Sequence, residues 1–313
     1  MPDPSPHHLD WGAEQLWQAL LPRLPGLSVE VLARCESTNT YLLERARRLS
    51  GQRDAPITGP GELQPLVAEA GTAPPPFGRR ADDTQPCLLV AEHQSRGRGR
   101  MGRLWQSSVG ASLTFSLGLP MAPQDWSGMS LAVGVALAEA LDPPGTGAPR
   151  IGLKWPNDLW LLDAPGQGRK LGGVLIETVA VGARRMVVVG VGLNVLPQPT
   201  RELSSGYACL QELDPDASAP QVLHRVAPPL VQALKDFEAH GFAAFVQRYA
   251  GRDLLRGQPV ATTAPELPEG VAEGVAADGA LLLRVGGELR TLASGEVSVR
   301  LRDTPPPADP QAT

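Results

Sequence analysis

Cysteine is scarce: Cys35, Cys87 and Cys209 are odd in number and far apart in a chain of 313 residues, which leaves no readable disulfide framework. The five histidines, His7, His8, His93, His224 and His240, form no ligand-spaced cluster with them, so no zinc site is legible. Long hydrophobic runs are missing too. The longest nearly apolar stretch, Met186 to Leu196, falls short of the ~18 residues that a membrane span requires. The start, MPDPSPHHLD, lacks the basic region and apolar run of a signal peptide. No surplus of positive charge exists, since Lys+Arg 28 against Asp+Glu 33 gives a net charge of -5. That argues against a general nucleic-acid or membrane-surface binder and confines any polyanion site to a local patch. The expected location is the cytoplasm. None of the three lysines follows a glycine, so there is no Walker A loop, and neither a Gly-x-Ser-x-Gly elbow nor a His-Glu-x-x-His pair is present.

Glycine and proline, by contrast, are plentiful, at 34 and 32 residues, while 42% hydrophobic content is enough for a core. The length suggests two domains. Three segments lack a core pattern: roughly the first ten residues, 51–86 and 303–313. The middle one contains Pro74-Pro75-Pro76, and its composition favours a flexible insertion. Leu42, Leu43, Ala46 and Leu49 fall on one face of a helix expected to follow Asn39 as its N-cap. Cys87–Ala91 and Ser112–Leu119 read as strands, Leu131–Leu141 as a buried helix, and residues 221–249 as helical. Val174–Val179 and Arg185–Gly190 read as an antiparallel hairpin. From Arg252 to Arg302, short Val/Leu runs split by Asp278-Gly279, Gly286-Gly287 and Ser294-Gly295 suggest a small β-barrel. The whole reads as α+β: a mixed sheet with helices, and an appended β domain.

The densest chemical signal is His93-Gln94-Ser95-Arg96-Gly97-Arg98-Gly99-Arg100-Met101-Gly102-Arg103-Leu104-Trp105, with no acid between Glu92 and Asp125. Gly lets backbone approach a ligand closely, and Arg offers planar, always-charged forks for phosphate or carboxylate. An anion belongs here, although an RG-type RNA-binding segment or a solvated basic loop has the same composition. In Lys154-Trp155-Pro156-Asn157-Asp158, Pro156 biases Trp155 toward an extended conformation. Its Asp and Asn oxygens beside a Lys suit a Mg-bound polyphosphate. Taken alone, the cluster reads as a turn beside an ordinary surface lysine. A third group, Arg169-Lys170-Leu171-Gly172-Gly173-Val174-Leu175-Ile176-Glu177, opens an apolar strand with a cation pair. Only three of the 28 basic residues are lysine, and two of those three sit in these clusters. Gly190-Val191-Gly192-Leu193-Asn194 is a weak signal by itself, since Asn194 could cap a turn. Ser37-Thr38-Asn39 reads as N-cap chemistry or as a donor-and-acceptor set for a neutral, urea-like group.

In this order, Ser37-Thr38-Asn39, Gln94 with GRGRxGRxW at 97–105, KWPND at 154–158, RKLGGVLIE at 169–177 and GVGLN at 190–194 closely resemble the biotin protein ligase family. The ending Ser294-Gly295-Glu296-Val297-Ser298-Val299-Arg300 resembles that family's C-terminal domain. The resemblance implies a mixed sheet flanked by helices, of the class II aminoacyl-tRNA synthetase kind, with a C-terminal SH3-like barrel. It implies an extension at 1–27, a catalytic domain at 28–250 carrying the insertion, the small domain at 251–302 and a disordered tail at 303–313.

The reaction implied is ATP-dependent and AMP-forming. Biotin and MgATP give biotinyl-5'-AMP and pyrophosphate, and the acyl group then passes to a lysine of a biotin carboxyl carrier domain of a carboxylase. By matching position, Ser37, Thr38, Asn39 and Gln94 hold biotin. Arg98, Gly99 and Arg100 form a loop over it, and Lys170 meets the reacting carboxylate and α-phosphate. Arg98, Arg100 and Lys170 are the implied catalytic residues. Arg100, Arg103, Trp105, Lys154, Asn157, Asp158 and Asn194 are the implied ATP contacts, with Asp158 facing Mg²⁺, and Tyr207 lies where relatives place a Trp against adenine. Only 30 residues precede Val31, so no DNA-binding winged helix and no repressor role are expected, nor is a membrane partner; a homodimer is compatible. Rival readings are a lipoate or octanoate ligase of related fold and a nucleic-acid-binding module using the Arg/Gly loop.

Overall fold

Runs of Val and Leu that would be ambiguous in isolation become the strands of a mixed seven-stranded sheet. In the computed structural model, which describes residues 9–49, 84–145, 147–164, 167–198, 205–293 and 298–301, the chain begins with helix α1 (Ala13–Leu20). Strand β1 (Ser28–Cys35), helix α2 (Thr38–Leu49) and strand β2 (Cys87–Gln94) follow. A short hairpin, β3 (Gly97–Arg98) and β4 (Leu104–Trp105), comes next. Then come β5 (Ser112–Pro120), α3 (Met129–Leu141), β6 (Ile151–Lys154), β7 (Asp158–Ala164), β8 (Gln167–Val181) and β9 (Arg184–Asn194). The sheet order is β1-β2-β5-β9-β8-β7-β6, with β1 and β2 parallel and the other neighbours antiparallel. The expectations for the chain start, for 51–83, for the Ser294-Gly295 turn and for the tail lie outside the described residues.

Both faces of the sheet are covered. Cys87, Leu89 and Val188 pack with Leu42 and Leu43 of α2, whereas Leu88, Val90, Val187 and Val189 join the main core. That core also takes in α1, α3 and helix α4 (Ala219–His240). This alternation explains the longest apolar stretch in the sequence: it is the central strand β9, buried on both sides. Among the described residues no helix is long and apolar enough to cross a membrane.

Three elements depart from the sequence reading. Helix α2 starts at Thr38, and the Ser37 carbonyl accepts the Tyr41 N–H at 3.0 Å, so Ser37 and not Asn39 stands at the N-cap. Asn39 is inside the first turn because its amide is engaged with β8. The helix expected over 221–249 stops at His240, where Gly241 adopts φ 64°, and resumes as a 3-10 turn (Phe242–Phe245) and α5 (Val246–Ala250). Helix α1, which the pattern did not reveal, buries Leu16 and Leu20, and the preceding Trp11 donates its indole N–H to Glu92 at 3.1 Å. An eight-residue helix carries too weak a periodic signal, and tertiary contacts stabilise it.

The C-terminal part forms a five-stranded antiparallel sheet of β10 (Pro259–Thr262), β11 (Glu269–Val275), β12 (Leu281–Val285), β13 (Glu288–Leu292) and β14 (Val299–Leu301), in the order β13-β12-β11-β10-β14. The expected barrel is open among the described residues, with β13 and β14 as unpaired edges. The expected turn at Gly286-Gly287 is present: both residues have positive φ, 57° and 88°, and join the paired Val285 and Glu288.

Candidate active site

All the residues singled out in the sequence as site candidates line one cavity of about 610 Å³. Strands β2, β8 and β9, the start of α2 and the β6–β7 turn supply its walls, the β3–β4 hairpin borders it, and Ser298 with β14 completes the lining.

One end is neutral and closed. The Thr38 N–H donates to Gln94 Oε1 at 2.7 Å, and the Thr38 hydroxyl lies 3.2 Å from the same oxygen. The Ser116 hydroxyl sits 2.6 Å from both Thr38 Oγ1 and Asn39 Oδ1. Asn39 Nδ2 donates to the Leu175 carbonyl at 3.1 Å and to Glu177 Oε2 at 2.9 Å. Ser37, Thr38, Asn39, Gln94 and Ser116 are all buried. The weak GxG signal acquires a reason here. A Cβ on Gly190 would collide with the Asn39 amide, and one on Gly192 would stand 2.5 Å from the Trp105 ring, so both glycines admit the side chains that shape the cavity.

The other end is cationic. Arg98, Arg100, Arg103, Lys154, Lys170 and Arg300 line it against one carboxylate, Asp158. Lys170 Nζ pairs with Asp158 Oδ1 at 2.7 Å. Lys154 is not a surface lysine: its Nζ stands 4.9 Å from the centre of the Trp160 ring. Burial lowers its pKa, Lys170, Arg103 and Arg300 push the same way, and Asp158 opposes. Burial also lowers the pKa of Arg100, whose Nη1 reaches Asn157 Oδ1 at 3.5 Å. Asn157 Nδ2 holds the Val174 carbonyl at 2.7 Å, and Asn194 Nδ2 holds the Ala208 carbonyl at 2.9 Å, so these amides also brace the wall. Tyr207 lines the cavity as a neutral phenol, its pKa pushed up to about 12 chiefly by burial, and its hydroxyl donates to the Leu196 carbonyl at 2.7 Å.

Arg103 Nη2 donates to Ser298 Oγ at 2.9 Å, tying the Arg/Gly hairpin to the residue just before β14. Ser116, Trp160 and the participation of Ser298 and Arg300 escaped the sequence reading. Ser116 is one of three hydroxyl residues in β5, with Ser112 and Thr114, so nothing in the sequence singles it out. Trp160 had no signal either.

An uncharged donor-and-acceptor group fits the closed end and a polyanion fits the open one, where Lys170 of β8 is paired with Asp158. Free cysteines Cys35, Cys87 and Cys209 are buried, and none lines the cavity. Among the described residues no group of three His, Cys, Asp or Glu side chains could hold a metal by itself. Asp158 alone suits Mg²⁺, which is usually bound through one or two carboxylates plus substrate phosphates.

Two families match the sequence: the Biotin/lipoate A/B protein ligase family over residues 80–194 and the Biotin protein ligase C terminal domain over residues 257–300. The chain is 32% identical over 287 residues to the bifunctional ligase/repressor BirA of Escherichia coli, covering 90% of this chain and 77% of that protein. It is 32% identical over 256 residues to a biotin–[acetyl-CoA-carboxylase] ligase of Mycobacterium tuberculosis, covering 76% and 88%. Its fold resembles a biotin protein ligase from Aquifex aeolicus in complex with biotin and ATP, with a TM-score of 0.62 at 24% identity, over 88% of this chain and 99% of that one.

Proposed function

The chain belongs to the biotin protein ligase family, and we propose that its two-ended cavity takes biotin at the neutral end and ATP at the cationic end. The observation that carries this reading is the sorting of the motif residues along one cavity. The protein is an ATP-dependent, AMP-forming biotin–[acetyl-CoA-carboxylase] ligase.

Thr38, Asn39 and Gln94, with Ser37 beside them, present the amide and hydroxyl groups that a ureido ring can both donate to and accept from. Arg98, Gly99 and Arg100 cover the acid side chain and bring guanidinium charge toward the adenylate phosphate. Lys154, Arg103, Trp105, Asn157 and Asn194 face the nucleotide, and Asp158 would hold Mg²⁺, whose charge neutralises the phosphates. In the first step a biotin carboxylate oxygen attacks the α-phosphorus and pyrophosphate leaves. Two anions must meet, so the barrier falls mainly by positioning and by prearranged positive charge. Lys170 is suited to this: its ammonium is held by Asp158 and turns to the reacting carboxylate and α-phosphate as a compact charge.

In the second step a carrier-domain lysine amine attacks the acyl carbon, an amide forms and AMP departs, so no covalent enzyme intermediate is needed. In the same reading, residues 28–250 hold the substrates. Residues 251–302, through Ser298 and Arg300, close one side of the nucleotide end.

Pyrophosphate release measured with biotin, lipoate and octanoate offered separately, with ATP and Mg²⁺, tests the assignment. Biotin is expected to support release; support by lipoate or octanoate without biotin would refute it.

A further inference from the structure

Glu177 lies outside the set assigned to either substrate, yet its two oxygens are divided between the two ends of the cavity. Oε2 accepts from Asn39 Nδ2 at 2.9 Å, and Oε1 pairs with Arg98 Nη2 at 3.0 Å. The hydrogens of the Asn39 amide are thereby used up, one on Glu177 and one on the Leu175 carbonyl. Its oxygen must then face the Ser116 hydroxyl, and the amide has a single orientation. Arg98 stands in β3, at the base of the hairpin that carries Arg100 and Arg103, and its other guanidinium nitrogen lies 3.4 Å from Thr40 Oγ1. One carboxylate therefore orients the amide of the closed end and anchors the foot of the charged hairpin.

Resting on the biotin-ligase reading, we propose that Glu177 is a positioning residue that couples occupancy of the neutral end to ordering of the Arg/Gly hairpin over the adenylate. A ligand that stiffens Asn39 stiffens Glu177, and a stiff Glu177 lowers the entropy that Arg98 must lose when the hairpin folds down. The two roles separate chemically. In Glu177→Gln an amide oxygen still accepts from Asn39, but the charge that holds Arg98 is gone. In Glu177→Ala both partners are lost, and the Asn39 N–H is left unsatisfied.

The test uses the full chain and measures biotin affinity, together with the dissociation rate of biotinyl-adenylate formed in place. Glu177→Gln is expected to keep biotin affinity within about twofold while releasing the adenylate about fivefold faster, the scale of one partly exposed ion pair. Raising the salt concentration should bring the wild-type release rate toward that of Glu177→Gln, a change a purely structural residue would not produce. Glu177→Ala is expected to weaken biotin binding by about tenfold as well. Combined with Arg98→Ala, Glu177→Gln should add nothing to adenylate release. Unchanged release in Glu177→Gln, or effects of the two substitutions that simply multiply, would overturn the coupling. If the wild type forms no adenylate from biotin, the functional reading falls and the inference falls with it. A wild type that holds its adenylate beside an indistinguishable Glu177→Gln overturns the inference alone.

Discussion

The two ends of the cavity are built on opposite terms. At the closed end Thr38, Asn39 and Gln94 are neutral, buried and bonded to one another or to neighbouring groups before any ligand arrives. At the open end Arg98 and Arg103 are exposed and Arg100 and Lys154 are only partly buried, with like charges crowding one another. Neutral polar groups can be locked in place at modest cost once their hydrogen bonds are made, whereas like charges tolerate proximity only while water or opposite charge screens them. In the proposed reading, recognition of shape therefore belongs to the closed end, and an anionic substrate completes the open one.

The largest effect should follow loss of the lysine charge paired with Asp158. Lys170→Met is expected to slow adenylation by about a hundredfold or more while leaving biotin affinity nearly unchanged and the fold intact. Pre-steady-state pyrophosphate release and thermal melting would measure the two; near wild-type turnover would return Lys170 to a structural role beside Asp158.

Arg100→Gly removes a charge from the open end alone. A phosphate-facing charge-assisted bond is worth about 1.5–3 kcal/mol, so biotinyl-adenylate should escape about tenfold to hundredfold faster with biotin affinity preserved. Labelling of a non-carrier protein by leaked adenylate offers a second readout, and unchanged values for both would show that Arg100 does not clamp the intermediate.

Asn39→Ala breaks the closed end instead. It takes one of two partners from each of Ser116 and Glu177, which keep Thr38 and Arg98, and biotin binding should weaken by roughly tenfold while the adenylation rate at saturating biotin changes little. Calorimetric titration with biotin would expose the contrast, and an equal loss in both constants would erase the distinction between the two ends.

The smallest effect concerns what a buried charge costs. Asp253 Oδ2 is buried with no hydrogen-bond partner, and burial raises the pKa of the group to about 6. Between its ordinary value near 3.8 and about 6, the folded chain keeps a proton that the unfolded chain releases, so stability falls as pH rises through that window and levels off above it. Asp253→Asn should flatten that decline, by on the order of 2 kcal/mol at most, without altering adenylate retention. Urea unfolding at pH 4.5 and 7.5 would test it; equal slopes in both proteins would rule out Asp253 as the titrating group.

Much of the site was legible because its residues are unusual where they stand: two of only three lysines, four arginines threaded through glycines, and an Asn-Asp pair after Pro156. The hairpin of β8 and β9 was legible because a turn containing Gly182, at φ 59°, separates two apolar runs. Ser116 and Trp160 were not, since a hydroxyl or an indole in a strand looks the same whether it faces a core or a cavity. By sequence Asn39 looks like a cap, because Asn at a helix start usually is one. Its amide instead bonds to groups 136 and 138 residues away.

Local chemistry alone decided the turns, the strand and helix segments, and the charge clusters, because backbone preference and side-chain type act over a few neighbouring residues. Tertiary structure decided which face of each strand met α2, that Glu177 serves both Asn39 and Arg98, and that Ser298, just before β14, meets Arg103 across 195 residues of chain. Those contacts depend on sheet register and on docking of the C-terminal sheet, and a change of one residue in register would turn every side chain of a strand to its opposite face.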